Sequence, residues 1–354
     1  MNKPLVSVVM VVRNVDRFLS ESIESILCQT FSDFEFIIVN FGSTDKSKSI
    51  VLSYAARDSR IKFHEIPDCG LPEARNAGCF LAQGRYIAIM DADDVSLPNR
   101  LMWEVEFMEQ HPETGLLGGA TEWIDATGRF ICENGFPAED YEIRSELLVH
   151  CPFCQPTVLL RREAFFLVGG YRAAFALAGD YDLWLRITEH FQCANLKQVV
   201  LKYRIHPHQV SMRKRRQQTL GILAAQMSAS LRKRGEPDWL DSAKEITHET
   251  LVALGVTEAT FQSQLALEAQ DWIRNMCMAG EYSCALATAL ELLQSDSRYI
   301  ERWQIADLYL TVAQIYWRQR KLLKSLRAAV QAVTTRPLVA GRPLKPLLQR
   351  LGLV

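Results

Sequence analysis

No stretch of this 354-residue chain is apolar for the roughly 18–20 residues that a helix needs to cross a bilayer. The longest early run, residues 5–12, is too short and follows no basic leader with a small-residue cleavage site, so neither a membrane span nor a signal peptide is expected. Glycine and proline are modest, at 18 and 13 residues, which excludes collagen-like and low-complexity chains. An excess of one charge is lacking too. Forty Lys and Arg face 41 Asp and Glu, and with 48% hydrophobic residues the chain has the material for packed cores. The nine cysteines are odd in number and scattered, as befits reduced thiols in a cytoplasmic protein rather than a disulfide framework.

The near-zero net charge conceals an asymmetry. Residues 1–210 carry −8 and residues 211–354 carry +7. A basic region of that kind suits peripheral contact with an anionic inner membrane face or with a protein partner. Nothing in the motifs calls for nucleic acid. The length suggests about two domains.

The first 125 residues alternate between two periodicities. Strand-like runs at 5–12, 34–39, 61–66 and 86–90 are separated by helical spacing at 16–29, after Ser43-Thr44, and at 72–81. Such alternation predicts an α/β fold: a mostly parallel sheet with helices on both faces, with ligands beyond the carboxyl ends of the strands. Polar residues gather at those ends: Asn14, Asn40 to Asp45, Asp68 to Gly70, and Asp91 to Asp94. The pattern is mixed from 115 to 206 and helical afterwards. Two related stretches, 279–292 and 320–333, resemble tetratricopeptide-type hairpins. The expected domains are residues 1–212 and an all-α accessory domain over 217–354, joined at Arg213-Lys214-Arg215-Arg216.

The sharpest chemical signal is Ile87-Ala88-Ile89-Met90-Asp91-Ala92-Asp93-Asp94. A buried strand delivers carboxylates at its end, and residues two apart in an extended segment point the same way. Asp91 and Asp93 can therefore converge on one hard cation, Mn²⁺ or Mg²⁺, which can in turn hold a diphosphate.

At this point the chain resembles a family 2 glycosyltransferase with the GT-A fold. The resemblance rests on elements in order: residues 6–12 then Asn14; Ser25-Ile26-Leu27-Cys28-Gln29-Thr30; Gly42-Ser43-Thr44-Asp45; Gly70 then Ala74-Arg75-Asn76; and Asp91-Ala92-Asp93-Asp94 then Pro98. Later come Gly169-Gly170-Tyr171, Asp180-Tyr181-Asp182-Leu183-Trp184-Leu185-Arg186, and Tyr203-Arg204-Ile205-His206 then Ser211. The resemblance covers about 210 residues and implies transfer of a sugar from a nucleoside-diphosphate sugar to a glycan, lipid-linked or protein acceptor, with inversion. It implies nucleotide-sugar contacts at Val12, Asn14, Asn40, Phe41, Gly42, Ser43, Arg75, Asp91 and Ala92. Arg75 would face the diphosphate, Asp93 with Asp91 would hold the metal, and His206 would add a further metal or phosphate contact. Asp180 matches the general base, while Asp182 reads as structural. The absence of a Gln-x-x-Arg-Trp element implies non-processive action.

Two departures matter. Phe41 stands where the family usually has an Asp that accepts a nucleobase N–H; a phenyl ring cannot accept it but can stack on a base. Gly179 stands where a Glu commonly precedes the base. These departures favour an alternative, a degenerate transferase domain serving as a scaffold. A second alternative is a haloacid-dehalogenase-type phosphatase using Asp91 and Asp93, although three βα units precede that strand here. Cys151-Pro152-Phe153-Cys154 lacks a second ligand pair for zinc and reads as structural. Arg336, Arg342, Lys345 and Arg350 make a basic tail.

Overall fold

The computed structural model describes residues 3–209, 214–294 and 297–336. Ser211, Arg213, Arg342, Lys345 and Arg350 lie outside the described residues. The chain divides into two compact units, Met1–Arg204 with Leu220–Leu254, and Ile205–Thr219 with Gly255–Val354.

The first unit opens with β1 (Val6–Val12), α1 (Asp16–Leu27), β2 (Phe34–Phe41), α2 (Ser47–Ala55), β3 (Ile61–Ile66), α3 (Leu71–Leu81) and β4 (Tyr86–Met90). Strands β1 to β4 are parallel, in the order β3-β2-β1-β4. Every residue of β2 and β4 is buried, which is why β4 runs apolar throughout and β2 does so apart from Glu35 and Asn40. The α1 face of Leu19, Ile23 and Ile26 packs on Val8, Met10, Phe36 and Ile38 in the main core. Beyond them come β5 (Val95–Ser96), α4 (Arg100–Gln110), β6 (Thr114–Asp125), β7 (Phe130–Asn134), α5 (Asp140–Leu147), β8 (Leu159–Arg161), α6 (Arg162–Leu167), α7 (Gly179–Ile187) and β9 (Gln192–Ile205). Strand β8 joins β4 antiparallel and β6 joins β8 antiparallel, so the parallel half continues into a mixed sheet of nine strands.

Helix α8 (Arg215–Lys233) and α9 (His248–Ala253) follow. The sequence puts an accessory domain from 217 onward, but residues 220–254 belong to the first unit. The reason is a set of long-range contacts that no periodicity announces. The Arg172 guanidinium donates to Asp238 at 2.9 Å and Asp241 at 2.8 Å, and also pairs with Asp182. Gln226 donates to the Val149 carbonyl at 2.9 Å, and Leu223, Ala224, Leu240 and Leu251 are buried.

The second unit holds α10 (Glu258–Met278), α11 (Tyr282–Gln294), α12 (Arg302–Arg318) and α13 (Leu322–Thr335). Helix α10 packs on α11, and α12 on α13, as the two related stretches predict. Their turns share one geometry. Gly280 (φ 83°) and Arg320 (φ 59°) are left-handed, and the next N–H in each case (Glu281 to Met276, Lys321 to Tyr316) reaches back to close the helix end. No helix among the described residues is long and apolar enough to cross a membrane.

The contacts of Arg172 generate a test of the boundary. A chain ending after Arg216 should be less stable in urea than one ending after Leu254 by at least about 3 kcal/mol, the scale of a broken buried ion pair. Equal midpoints and slopes would show that residues 220–254 do not support the sheet.

Candidate functional site

The carboxyl ends of β1 and β2 are stitched into one shelf. Asn14 adopts a left-handed conformation (φ 52°), donates its backbone N–H to the Ser43 hydroxyl at 3.2 Å, and accepts the Thr44 N–H with Oδ1 at 2.8 Å. Ser43 in turn donates to the Val12 carbonyl at 3.4 Å. Asp45 takes the N–H groups of Asp16 and Ser47 at 3.0 and 2.9 Å. Partial burial works to raise its pKa, yet these hydrogen bonds and that of the Ser47 hydroxyl hold it below the usual carboxylate range. Gly42 (φ 75°) must be glycine twice over, because a Cβ there would also lie 2.9 Å from the Cβ of Asp68.

The two residues that end β2 are both buried. Phe41 is only 5% exposed, and the Arg13 guanidinium lies over its ring, 5.6 Å from the centroid. The ring expected to stack on a base is thus packed away as the floor beneath Arg13. Asn40 is buried, and its Oδ1 finds no hydrogen-bond partner among the described residues. An orphaned buried acceptor is what a water or ligand donor satisfies.

The turn after β4 alternates as an extended segment should: Ala92 and Asp94 are buried, whereas Asp91 and Asp93 are partly exposed. Its backbone is held from two sides. The Ser22 hydroxyl of α1 lies 2.9 Å from the Ala92 carbonyl and 2.5 Å from that of Asp94. From β9, Arg204 donates Nε to the Asp93 carbonyl at 2.8 Å and its backbone N–H to Asp94 Oδ1 at 2.7 Å. Burial, with the charges of Asp93 and Asp91, pushes the Asp94 carboxyl well above its ordinary range. Asp94 therefore acts as a structural anchor, and its neighbours face the mouth.

Arg75 on α3 brings its Nη2 to 3.6 Å from Asp91 Oδ1, and its guanidinium stands over the Tyr171 ring at 5.7 Å. Its buried Nε has no partner among the described residues. Tyr171 is fixed from beneath: Asn76 donates to its carbonyl at 2.7 Å and accepts its N–H at 2.9 Å, while Gln155 donates to its hydroxyl at 3.2 Å. These roles of Asn76 and Gln155 carry no signal in sequence, since the contacts join segments up to 95 residues apart.

Asp180 stands in the first turn of α7, half-buried, with Oδ1 accepting the Tyr181 N–H at 2.9 Å. Burial, then the charge of Asp93 and lastly that of Asp180, push the Asp91 carboxyl up to about 6 against the lowering pull of Arg75. The charges of Asp93 and Asp180 and the Arg75 guanidinium thus all act on Asp91. Asp182, by contrast, is buried between Arg172 and Arg186, and the Arg186 guanidinium also donates to the carbonyls of Val168 and Gly170. A Cβ at Gly179 would meet Tyr171 and Pro72 only at ordinary van der Waals distance, so crowding does not dictate the glycine.

His206 falls in the second unit, where its Nδ1 accepts the His208 N–H at 3.3 Å. Burial and the charge of Asp180 push the Cys151 thiol up; burial and nearby carboxylates, led by Asp94, do the same to Cys154. Both favour the protonated thiol, and no group of three metal-binding side chains exists among the described residues. The two partly exposed carboxylates, Asp91 and Asp93, are the hard oxygen donors that fit a divalent cation at this mouth.

The description Glycosyl transferase family 2 matches residues 7–166. The O-antigen biosynthesis glycosyltransferase WbnJ of Escherichia coli is 34% identical over 206 residues, 57% of this chain and 80% of the relative. An uncharacterized glycosyltransferase of Methanocaldococcus jannaschii is 35% identical over 212 residues, 58% of this chain and 72% of the relative. Among solved structures, S. aureus TarS 1-349 in complex with UDP covers 92% of this chain and 90% of its own, with a TM-score of 0.51 at 15% identity. The mannosyltransferase PcManGT of Pyrobaculum calidifontis, in complex with GDP-Man and Mn²⁺, covers 95% and 89%, with a TM-score of 0.51 at 15% identity. The two structures speak for the GT-A fold, and the phosphatase alternative loses its basis. This chain belongs to glycosyltransferase family 2.

Proposed function

We propose that the chain is a metal-dependent, inverting and non-processive transferase that moves a sugar from a nucleoside-diphosphate sugar to an acceptor hydroxyl of a glycan, a lipid-linked carrier or a protein. One observation carries the reading: three carboxylates from two distant segments, Asp91, Asp93 and Asp180, crowd together beside one arginine, Arg75. The buried Asp182 is matched with two cations, Arg172 and Arg186. Asp91 instead has Arg75 at 3.6 Å and two like charges nearby, an arrangement that needs added positive charge.

Asp91 and Asp93 would hold Mn²⁺ or Mg²⁺, and the ion when bound would offset the charge growing on the departing nucleoside diphosphate. Arg75, permanently charged and with an unsatisfied buried Nε, suits a phosphate oxygen. Tyr171 and Asn76 keep that guanidinium over the site. Asp180 would take the proton from the acceptor hydroxyl as that oxygen attacks the anomeric carbon on the face opposite the leaving group, which inverts the centre. The basic second part of the chain is the candidate for contact with an anionic membrane face, on the cytoplasmic side.

Substituting Asp180→Asn should leave donor binding close to that of the parent and cut transfer by about 10²–10⁴-fold, the scale of a lost general base. Asp93→Ala should abolish transfer and weaken nucleotide binding mainly when the cation is present, as calorimetry with and without Mn²⁺ will show. Parental transfer rates in Asp180→Asn would assign the proton to another group.

The pH dependence has a definite sign. With a folded pKa of about 6 against an ordinary 3.8, Asp91 favours the folded state below 3.8, and that contribution is lost as pH rises through 6. A bound cation replaces the proton, so Mn²⁺ affinity should fall about tenfold between roughly pH 7.5 and pH 5. In Asp91→Asn most of that slope should vanish. An identical slope in parent and variant would assign it to a different group.

A further inference from the structure

Helix α13 carries its large apolar side chains outward. It buries Ser325, Ala328, Ala329 and Ala332, and the Ser325 hydroxyl donates to the Ala313 carbonyl of α12 at 2.8 Å. Side chains this small let the two helices approach closely, and no leucine of α13 is spent on the contact. The leucines lie elsewhere. Leu322 and Leu323 are 54% and 84% exposed, and Leu326 and Val330 are exposed as well. At 3.6 residues per turn these four, with the half-buried Val333 among them, fill an arc of roughly 100°. Single exposed leucines are ordinary, but a contiguous stripe of them marks a contact surface.

Charge decides what that contact is. Exposed Arg327 borders the stripe, and Lys324 lies on the arc beyond it, its ammonium 5.7 Å from the centre of the Tyr316 ring. Residues 308–354 hold nine Lys and Arg and no Asp or Glu. A second copy set stripe on stripe would bring cations against cations, with no acid in this region to pair them. The final segment of the chain, with Arg342, Lys345 and Arg350, would do the same. The four exposed side chains also come from one helix, and so form a ridge rather than a groove. A fluid surface accepts a ridge without a matching shape.

We propose that α13 is a lipid contact: it lies along an anionic membrane surface with Leu322, Leu323, Leu326 and Val330 sunk at the headgroup–acyl boundary and Arg327 reaching the lipid phosphates. A long side chain at the edge of an apolar stripe can keep its stem in the apolar layer and its charge among the headgroups. This rests on the reading of the basic second part of the chain as membrane-facing, and gives that contact a helix and a face.

Flotation of the full chain with lipid vesicles tests it. The chain should bind an equimolar mixture of phosphatidylglycerol and phosphatidylcholine about tenfold or more tightly than phosphatidylcholine alone, and added salt should shrink the difference. Leu323→Gln combined with Leu326→Gln should cut binding to the anionic vesicles by about tenfold or more. Arg327→Gln should cut it by about fivefold, the scale of one cation at a lipid surface. All three side chains are exposed, so parental melting temperatures are expected and separate a lost lipid contact from a lost fold. Binding that survives in both variants leaves the membrane contact standing and overturns its assignment to α13. No binding by the full chain overturns both, whether its final residues or an acidic protein then covers the stripe. A parental dimer that dissociates in the leucine variant assigns the stripe to a second copy and overturns the lipid contact. Nucleotide binding should be the same in parent and variants, so the transferase reading stands or falls apart from this one.

Discussion

Arg204 carries the constraint on which the site depends. It is 2% exposed, and it fixes the turn after β4 by its backbone N–H to Asp94 and its guanidinium to the Asp93 carbonyl. The same guanidinium pairs with Glu21 on α1, 2.6 Å away, and lies over the Phe18 ring. Three acidic residues within four positions would otherwise repel one another and splay. One buried cation, with the Ser22 hydroxyl behind the same turn, allows Asp91 and Asp93 to remain at the mouth. Removing the guanidinium would free the Asp93 carbonyl and Glu21, while the backbone N–H would still hold Asp94.

Much of the fold could be read from the sequence because its signals are local. The β-branched runs of β1, β2 and β4 are buried on both faces, and helix spacing between them leaves only a parallel arrangement. The paired turns at Gly280 and Arg320 were equally visible as a repeat, since each hairpin is closed by neighbours in sequence. The carboxylates of the site came from the same kind of signal, a strand ending in Asp-x-Asp.

What escaped the sequence is long-range pairing, which leaves no period. Residues 220–254 group with the first unit, where Arg172 meets Asp238, 66 positions away, and nothing near either residue announces the other. Phe41 was legible as a departure but not as a buried floor, because its cover, Arg13, comes from the end of a different strand. Asn76 likewise matches a motif without revealing that its amide grips both backbone groups of Tyr171.

The unsatisfied atoms divide the acidic residues more sharply than the motifs do. Asp182 is enclosed and matched by two arginines, as expected of a group that supports the fold. Around the mouth, Asn40 Oδ1, Arg75 Nε and Asp94 Oδ2 are all buried without partners among the described residues. Leaving a buried polar group unpaired costs about 1–3 kcal/mol each, a cost that a bound partner would remove. An anion beside Arg75 and a donor beside Asn40 would each relieve one of these atoms, and a cation between the carboxylates would relieve the repulsion that raises Asp91. A nucleoside diphosphate with its divalent ion, the ligand of the proposed function, would combine all three chemistries in one molecule.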